Sequence, residues 1–156
     1  MEPRIEVVPL DAPDALLLIA ELNEELAAQY PEPGANHFRL DADEVEPERG
    51  AFLVAYLSDQ PVGCGALRLI DDDTAELKRM YTRANVRGQG IARVILHALE
   101  QQAVRLAVRR LVLETGTRQL AALAFYGKEG FEDIEPFGEY VDSPLSVCMA
   151  KQLVGG

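Results

Sequence analysis

The chain has 156 residues, 48% of them hydrophobic and 26% charged, which are the proportions of one globular domain and exclude a disordered or fibrous chain. Asp and Glu number 26 against 15 Lys and Arg, and the resulting net charge of −11 argues against nucleic-acid binding because it repels phosphate backbones. No apolar run approaches the ~20 residues of a membrane span, so the sequence predicts a cytoplasmic protein without a membrane partner.

Strands and helices alternate in the first half of the chain. A short strand is predicted at 5–8 and an amphipathic helix at 15–28. The acidic segment 36–50 is typical of a surface loop or short helix, and it is a candidate lid. Two apolar runs at 51–57 and 62–70 predict a β-hairpin, followed by a third antiparallel strand at 74–82.

The second half predicts a crossover unit. A helical stripe over 90–107 precedes a strand at 110–113. A short helix ending near residue 128 and strands at 131–135 and 146–152 complete the chain. We therefore expect a single α+β domain over residues 1–156, with a mostly antiparallel twisted sheet of about six to seven strands flanked by about four helices.

The sequence predicts no metal site. Cys64 and Cys148 each lie in an apolar strand-like segment, and we expect both thiols to be reduced and buried. The two histidines, His37 and His97, have no neighbouring ligand set in the sequence.

A glycine turn precedes the long helix, with the sequence Arg87-Gly88-Gln89-Gly90-Ile91-Ala92. Residues 77–99 hold five Lys and Arg but no Asp or Glu; the cluster is either a chance group of solvated charges or a local anion site. The glycines favour the anion site, because they let the backbone approach a ligand at a positively polarised helix N-terminus. The turn predicts pyrophosphate binding but lacks the P-loop and Rossmann spacings.

Three motifs carry a resemblance to the GNAT acetyltransferases. Arg-x-x-Gly-x-Ala at 87–92 matches that family's acetyl-CoA loop, Gln/Arg-x-x-Gly-x-Gly/Ala. Segment 76–82 resembles its fourth strand, and 122–131 resembles its Phe-Tyr-x-x-x-Gly-Phe signature. The resemblance implies the acyl-CoA N-acyltransferase fold, with an acetyl-CoA-binding core at 51–152 and a variable acceptor-side region at 1–50.

The family's mode of acetyl-CoA binding implies a set of contact residues here. The backbone of 80–82 would bond the pantetheine arm where the fourth strand, through a twist or a β-bulge, splays away from the strand at 110–113. Gln119 stands where many relatives have an asparagine. The implied contacts are Met80, Tyr81, Thr82, Arg87, Gly88, Gln89, Gly90, Ile91, Ala92, Gln119 and Tyr126.

Amide formation requires a base for the amine, a hydrogen-bond donor to the oxyanion and an acid that protonates the departing thiolate. Glu76 precedes Arg87 by 87 − 76 = 11 positions. The general-base glutamate of histone-acetylating GNAT enzymes has the same separation, so the resemblance implies that Glu76 is the base. The alternative is a solvent-facing carboxylate at the end of a strand. The resemblance places the oxyanion donor at the Met80 N–H. Tyr126 occupies the position of the acid, although a packing tyrosine is the alternative.

The sequence says less about the residues that bind the acceptor amine than about those that bind acetyl-CoA. Topology makes His37, Phe38, Arg79 and Tyr140 candidate acceptor-binding residues, with Arg39 and Ser143 as further ones. The acidic balance favours a small cationic amine such as an amino acid, acetylated by direct attack in a ternary complex. The alternatives are a non-catalytic acetyl-CoA sensor module and a protein N-terminal or lysine acetyltransferase. A homodimer paired through the last strand or the apolar hairpin is possible.

Overall fold

A seven-stranded sheet is the centre of the described part of the chain, residues 2–33 and 38–153 of a computed structural model. The strand order is β1-β2-β3-β4-β5-β7-β6, and all neighbours are antiparallel except β4 and β5. The strands are β1 (Arg4–Val7), β2 (Gly50–Leu57), β3 (Gln60–Leu69), β4 (Thr74–Thr82), β5 (Arg110–Gly116), β6 (Glu132–Ile134) and β7 (Ser146–Gln152).

The described residues contain three α-helices, where about four were predicted: α1 (Pro13–Gln29), α2 (Ile91–Arg105) and α3 (Leu120–Lys128). The acidic segment holds only the short 3₁₀ turn Ala42–Val45, and two further 3₁₀ turns cover Ala84–Val86 and Gly138–Tyr140. α1 begins with a proline, whose missing N–H costs nothing in the first turn of a helix. The α+β class is confirmed.

The helices form a layer on each face of the sheet. Leu18 of α1 is fully buried in one apolar cluster with Phe52 of β2. On the other face, α2 buries Ile95 and Leu99 in a second cluster, which Tyr126 of α3 joins. Each fully buried Leu or Ile side chain contributes about 1.5–3 kcal/mol, so α2 is fixed firmly over the strands that lead into its glycine turn.

A β-bulge interrupts β4 in its second half. Lys78 lies opposite Ala66, but Tyr81 lies opposite Cys64, so β4 carries one residue more than β3 across this interval. Arg79 lies in this interval of β4 and has a φ of +57°, a conformation that non-glycine residues rarely adopt. Of the two predicted explanations for this strand, the bulge is the one observed.

Beyond the bulge, β4 and β5 diverge. Their parallel pairing ends at Leu77 opposite Leu113, although β4 continues to Thr82 and β5 to Gly116. The predicted splay is therefore present. Residues of both strands beyond the last pair line a cleft.

The two edge strands of the described sheet are β1 and β6. β7 lies between β5 and β6, and the hairpin strands β2 and β3 also have neighbours on both sides. The expectation that the last strand or the hairpin pairs across a dimer is therefore wrong, because their edges are already used within the chain.

Both cysteines are free and buried, as predicted. Burial raises the pKa of the Cys64 thiol to about 12, so this thiol is inert at neutral pH. Among residues 2–33 and 38–153, no helix has the length and apolar character needed to cross a bilayer.

Candidate active site

A cleft opens where β4 and β5 part, with a cavity volume of about 120 Å³. Its floor comes from the two diverging strands, and α1 and α3 form opposite walls. Phe38, Tyr140 and Leu145 close it from the loops. A cleft between splayed strands presents unpaired backbone groups to whatever binds there, so it suits an extended, hydrogen-bonding ligand.

The glycine turn lies at the N-terminus of α2, next to the end of β4. Gly88 and Gly90 have φ of +84° and +81°, and Gly90 is the N-cap residue of α2. No atom lies within 4 Å of the position of an added Cβ at either glycine, so backbone conformation rather than crowding requires glycine here. The first amides of α2 have no intrahelical acceptor and are oriented to bind an anion.

The cluster of Lys and Arg in residues 77–99 is largely paired with carboxylates from distant elements. Arg83 binds Glu21 of α1 at 2.7 Å, and Arg87 binds Glu25 of α1, also at 2.7 Å. Arg93 lies 3.4 Å from Glu129. The arginine charge that was predicted at the turn is therefore shared with these carboxylates, and the first backbone amides of α2 are further anion-binding groups there.

This pairing predicts an unusual effect of removing a carboxylate. Replacing Glu25 with Gln frees the Arg87 guanidinium, so we expect acetyl-CoA to bind several-fold more tightly, with an effect that shrinks as salt is added. Isothermal titration calorimetry of the variant checks this at low and high ionic strength. Glu24→Gln, a change one residue away on α1, is the matched control. Unchanged affinity at low salt would mean that Arg87 does not reach the phosphates.

The other predicted acetyl-CoA residues divide into three groups. Met80 and Gln119 line the cleft; the Gln119 side-chain oxygen accepts hydrogen bonds from Gly116 N at 2.8 Å and Thr115 Oγ1 at 3.2 Å. Tyr81 and Thr82 lie at the end of β4, outside the cleft lining. Among the turn residues, the Gln89 side chain is exposed, whereas the Ile91 side chain lies in the core, so Ile91 can offer only its backbone.

Tyr126 lies in the cleft wall on α3. Its ring packs edge-on to Phe131 with the centroids 5.5 Å apart, and only 6% of the residue is exposed. Burial raises the pKa of the Tyr126 phenol. The hydroxyl forms no hydrogen bond with any residue in the described part of the chain, although a buried hydroxyl normally has a partner.

Glu76 does not line the cleft. It is 0% exposed; its Oε1 accepts from Arg68 at 2.8 Å, and its Oε2 accepts from the Tyr140 hydroxyl at 2.5 Å. Both oxygens are therefore occupied. Because Glu76 is fully buried and outside the cleft lining, the geometry does not support direct proton abstraction by Glu76.

Three of the four predicted acceptor residues come together. Phe38 and Tyr140 pack edge to face at 4.7 Å, and Arg79 donates a hydrogen bond to the Phe38 carbonyl at 2.7 Å. His37 lies outside the described residues. Arg39 is exposed and paired with Asp41, and Ser143 bonds Ser146; neither lines the cleft.

Two charged cleft residues were not predicted. Lys78 and Glu114 are the first residues of their strands beyond the last paired position. Lys78 donates to the Arg39 carbonyl and lies 3.5 Å from Glu139, and burial lowers the pKa of its amine. Glu114 directly follows the apolar run at 111–113, and a charged residue at the end of a buried strand is the sequence signal that could have revealed it.

A sheet split by a β4 bulge, a helix N-terminus with two glycines, and a buried tyrosine across the gap define the class of acyl-CoA-dependent acyltransferases. The family model of GNAT acetyltransferases matches residues 16–131. The chain therefore belongs to the GNAT family and is an acetyl-CoA-dependent N-acetyltransferase.

Relatives and solved structures agree with this membership. An IAA acetyltransferase of Azospirillum brasilense is 39% identical over 87% of this chain and 88% of its own length. A candidate acyl-CoA N-acyltransferase from Klebsiella pneumoniae has a TM-score of 0.84 and 31% identity, and 97% of each chain is covered. A GNAT acetyltransferase from Elizabethkingia anophelis, solved with acetyl-CoA bound, shares the fold at a TM-score of 0.66 and 22% identity over 97% of this chain and 99% of its own.

Proposed function

We propose that this enzyme acetylates the primary amine of a small molecule by direct attack of the amine on acetyl-CoA. The observation that carries the proposal is the buried Tyr126 hydroxyl, which lies in the same cleft as Arg79, Glu114 and the Phe38–Tyr140 aromatic pair. A proton donor on one wall and polar groups on the other suit a ternary complex, in which both substrates are bound at once.

The proposed roles follow the geometry. The pyrophosphate of acetyl-CoA binds the amides of the 87–92 turn, and the pantetheine arm lies between the splayed strands. The Met80 N–H, beyond the last β4–β5 pair, stabilises the oxyanion of the attacked carbonyl. Tyr126 donates a proton to the departing thiolate, since its buried phenol has no other acceptor among the described residues.

Glu76 acts through Tyr140 in this proposal. Its carboxylate holds the Tyr140 hydroxyl and thereby fixes the ring that forms part of the cleft wall. We therefore assign Glu76 a positioning role in place of the general-base role that the family spacing implied.

Two hydrogen bonds favour a small acceptor over a protein. Lys78 and Arg79 bind the backbone carbonyls of Arg39 and Phe38, respectively. These contacts hold the segment 38–40 against β4, beside Tyr140. A peptide substrate would require an open groove at this place, whereas a small amine fits beneath such a cover.

A thiol-release assay with acetyl-CoA tests the proposal. We expect turnover with at least one free amino acid or small amine, and little turnover with peptides that present a free N-terminus or a lysine side chain. The N-acetylated product should be identified by mass spectrometry. Efficient turnover with peptides alone would support the protein acetyltransferase alternative, and tight acetyl-CoA binding without turnover on any amine would support the sensor alternative.

A further inference from the structure

We infer that Glu114 is the general base of this reaction and that Glu114 and Arg79 together select an acceptor carrying both an ammonium and a carboxylate group, as in a free amino acid. The inference rests on the proposed function. It concerns two cleft residues of opposite charge, one on each of the two diverging strands.

Glu114 lies at the point where the strands separate. Glu76 and Val112 are opposite each other, and Leu77 and Leu113 form the next and last pair. Because side chains alternate along a strand, Glu114 is on the same sheet face as Glu76, one step beyond the end of pairing. Its side chain lines the cleft, whereas Glu76 does not.

Ser146 fixes the orientation of the Glu114 carboxylate. The Ser146 hydroxyl donates to Glu114 Oε2 at 2.6 Å, and it also lies 2.6 Å from the Ser143 hydroxyl. Within the described chain, Glu114 Oε1 has no hydrogen bond and Glu114 has no salt-bridge partner. One oxygen is thus anchored and the other is available to an ammonium group in the cleft.

The surroundings of Glu114 suit a base at neutral pH. Burial raises the pKa of its carboxyl group, and the negative charges of Glu76 and Glu139 raise it further, while the Ser146 hydrogen bond and the Lys78 charge lower it. A carboxyl pKa raised toward neutrality is the condition under which a carboxylate accepts a proton efficiently. The titratable groups facing it are Tyr30, Glu76, Lys78, Glu139, Tyr140 and Cys148.

Arg79 supplies the opposite charge. The bulge gives this residue its positive φ, and the side chain lines the cleft while donating one hydrogen bond to the Phe38 carbonyl. No carboxylate of residues 2–33 or 38–153 forms a salt bridge with it. A guanidinium has five N–H donors and binds carboxylates in a bidentate manner, so Arg79 retains donors for an acceptor carboxylate.

The proposed step conserves atoms and charge. Glu114 takes a proton from the acceptor ammonium and releases it to solvent. The freed nitrogen lone pair forms the N–C bond to the acetyl carbon, and the C–S bond breaks. Tyr126 protonates the leaving sulfur, and the second proton lost from nitrogen restores Tyr126 through water. The products are the N-acetylated acceptor, CoA thiol and one proton.

The test is the pH dependence of kcat in Glu114→Gln, measured with the best acceptor of the small-amine panel. We expect kcat at neutral pH to fall by about 100-fold or more, with the acetyl-CoA Kd unchanged. In wild type, the acidic limb of the pH profile of kcat reports the raised Glu114 pKa, so activity is lost as the pH falls through that pKa. In the variant this limb moves up to the pKa of the acceptor amine, and raising the pH restores activity.

Two further variants keep the test specific. Glu139→Gln, the matched control, removes a nearby carboxylate outside the cleft lining and should lower kcat only a few-fold. Ser146→Ala removes the hydrogen bond that lowers the Glu114 pKa, so its acidic limb should shift to higher pH. A Glu114→Gln enzyme with a wild-type pH profile and kcat would overturn the inference while leaving the proposed function intact.

Acceptor pairs test the role of Arg79. For wild type, we expect kcat/KM to be about 100-fold higher for an amino acid than for its amide, a difference of about 2.7 kcal/mol. In Arg79→Gln the two acceptors should become nearly equivalent. Equal use of both by wild type would overturn the carboxylate selection, and failure of every amine in the panel would instead refute the proposed function.

Discussion

Replacing Tyr126 with Phe is expected to lower kcat by about 100-fold and to leave the acetyl-CoA Kd unchanged. The hydroxyl has no hydrogen-bond partner among the described residues, and the ring packs against Phe125 and Phe131. Phenylalanine keeps that packing, so the protein remains folded and loses only the proton donor. Steady-state kinetics and calorimetric titration with acetyl-CoA separate the two effects.

Tyr56→Phe is the control for the Tyr126 experiment. It also removes a tyrosine hydroxyl, here one that donates to Asp14 at 2.6 Å, but it lies in the other apolar cluster. We expect its kcat to match wild type.

Since burial raises the pKa of Tyr126, wild-type kcat should not decline near the ordinary tyrosine pKa of about 10. A Tyr126→Phe enzyme with full kcat would restore the interpretation of a packing tyrosine.

Replacing Glu76 with Gln is expected to reduce the free energy of unfolding by about 2–4 kcal/mol, a little below the usual cost of breaking a buried ion pair because Arg68 keeps a second partner. The Glu76 side chain is 1% exposed and that of Arg68 is 25% exposed, and Arg68 also binds Glu44 at 2.9 Å. Urea-induced unfolding measures the loss.

The kinetics of Glu76→Gln distinguish positioning from direct proton abstraction. Gln can still accept the Tyr140 hydrogen bond, so we expect turnover to stay within about tenfold of wild type, well short of the loss on removing a general base. Glu25→Gln, which breaks the more exposed pair with Arg87, should have little effect on unfolding. If turnover by Glu76→Gln instead falls by about 100-fold or more while stability is unchanged, the base role returns to Glu76.

Local patterns predicted much of the fold. β4 (Thr74–Thr82) and β7 (Ser146–Gln152) have the predicted bounds, because turn residues mark their ends. β5 was predicted to stop at Leu113, but it continues to Gly116. The polar Glu114 and Thr115 end the apolar run, and their place in the sheet depends on pairing with Cys148 and Val147 of β7, which is a contact between distant parts of the chain.

The sequence likewise predicted the local features of the candidate site but not the features that depend on contacts between distant residues. The glycine turn is a local signal, and both glycines have the positive φ that it requires. The neutralisation of Arg83 and Arg87 comes from α1, 62 positions away in each case. The burial of Glu76 likewise depends on Tyr140, which is 64 positions away. Residue spacing cannot reveal such contacts, so it predicted neither the carboxylate partners of these arginines nor the buried partners of Glu76.

The measurement that tests the central claim most directly is thiol release from acetyl-CoA in single-turnover reactions, with and without an amino-acid acceptor. We predict release only when the acceptor is present, with one N-acetylated product formed for each thiol. Release without acceptor and with acetyl transferred to the protein, or no release despite saturating acetyl-CoA and acceptor, would contradict direct transfer in this cleft.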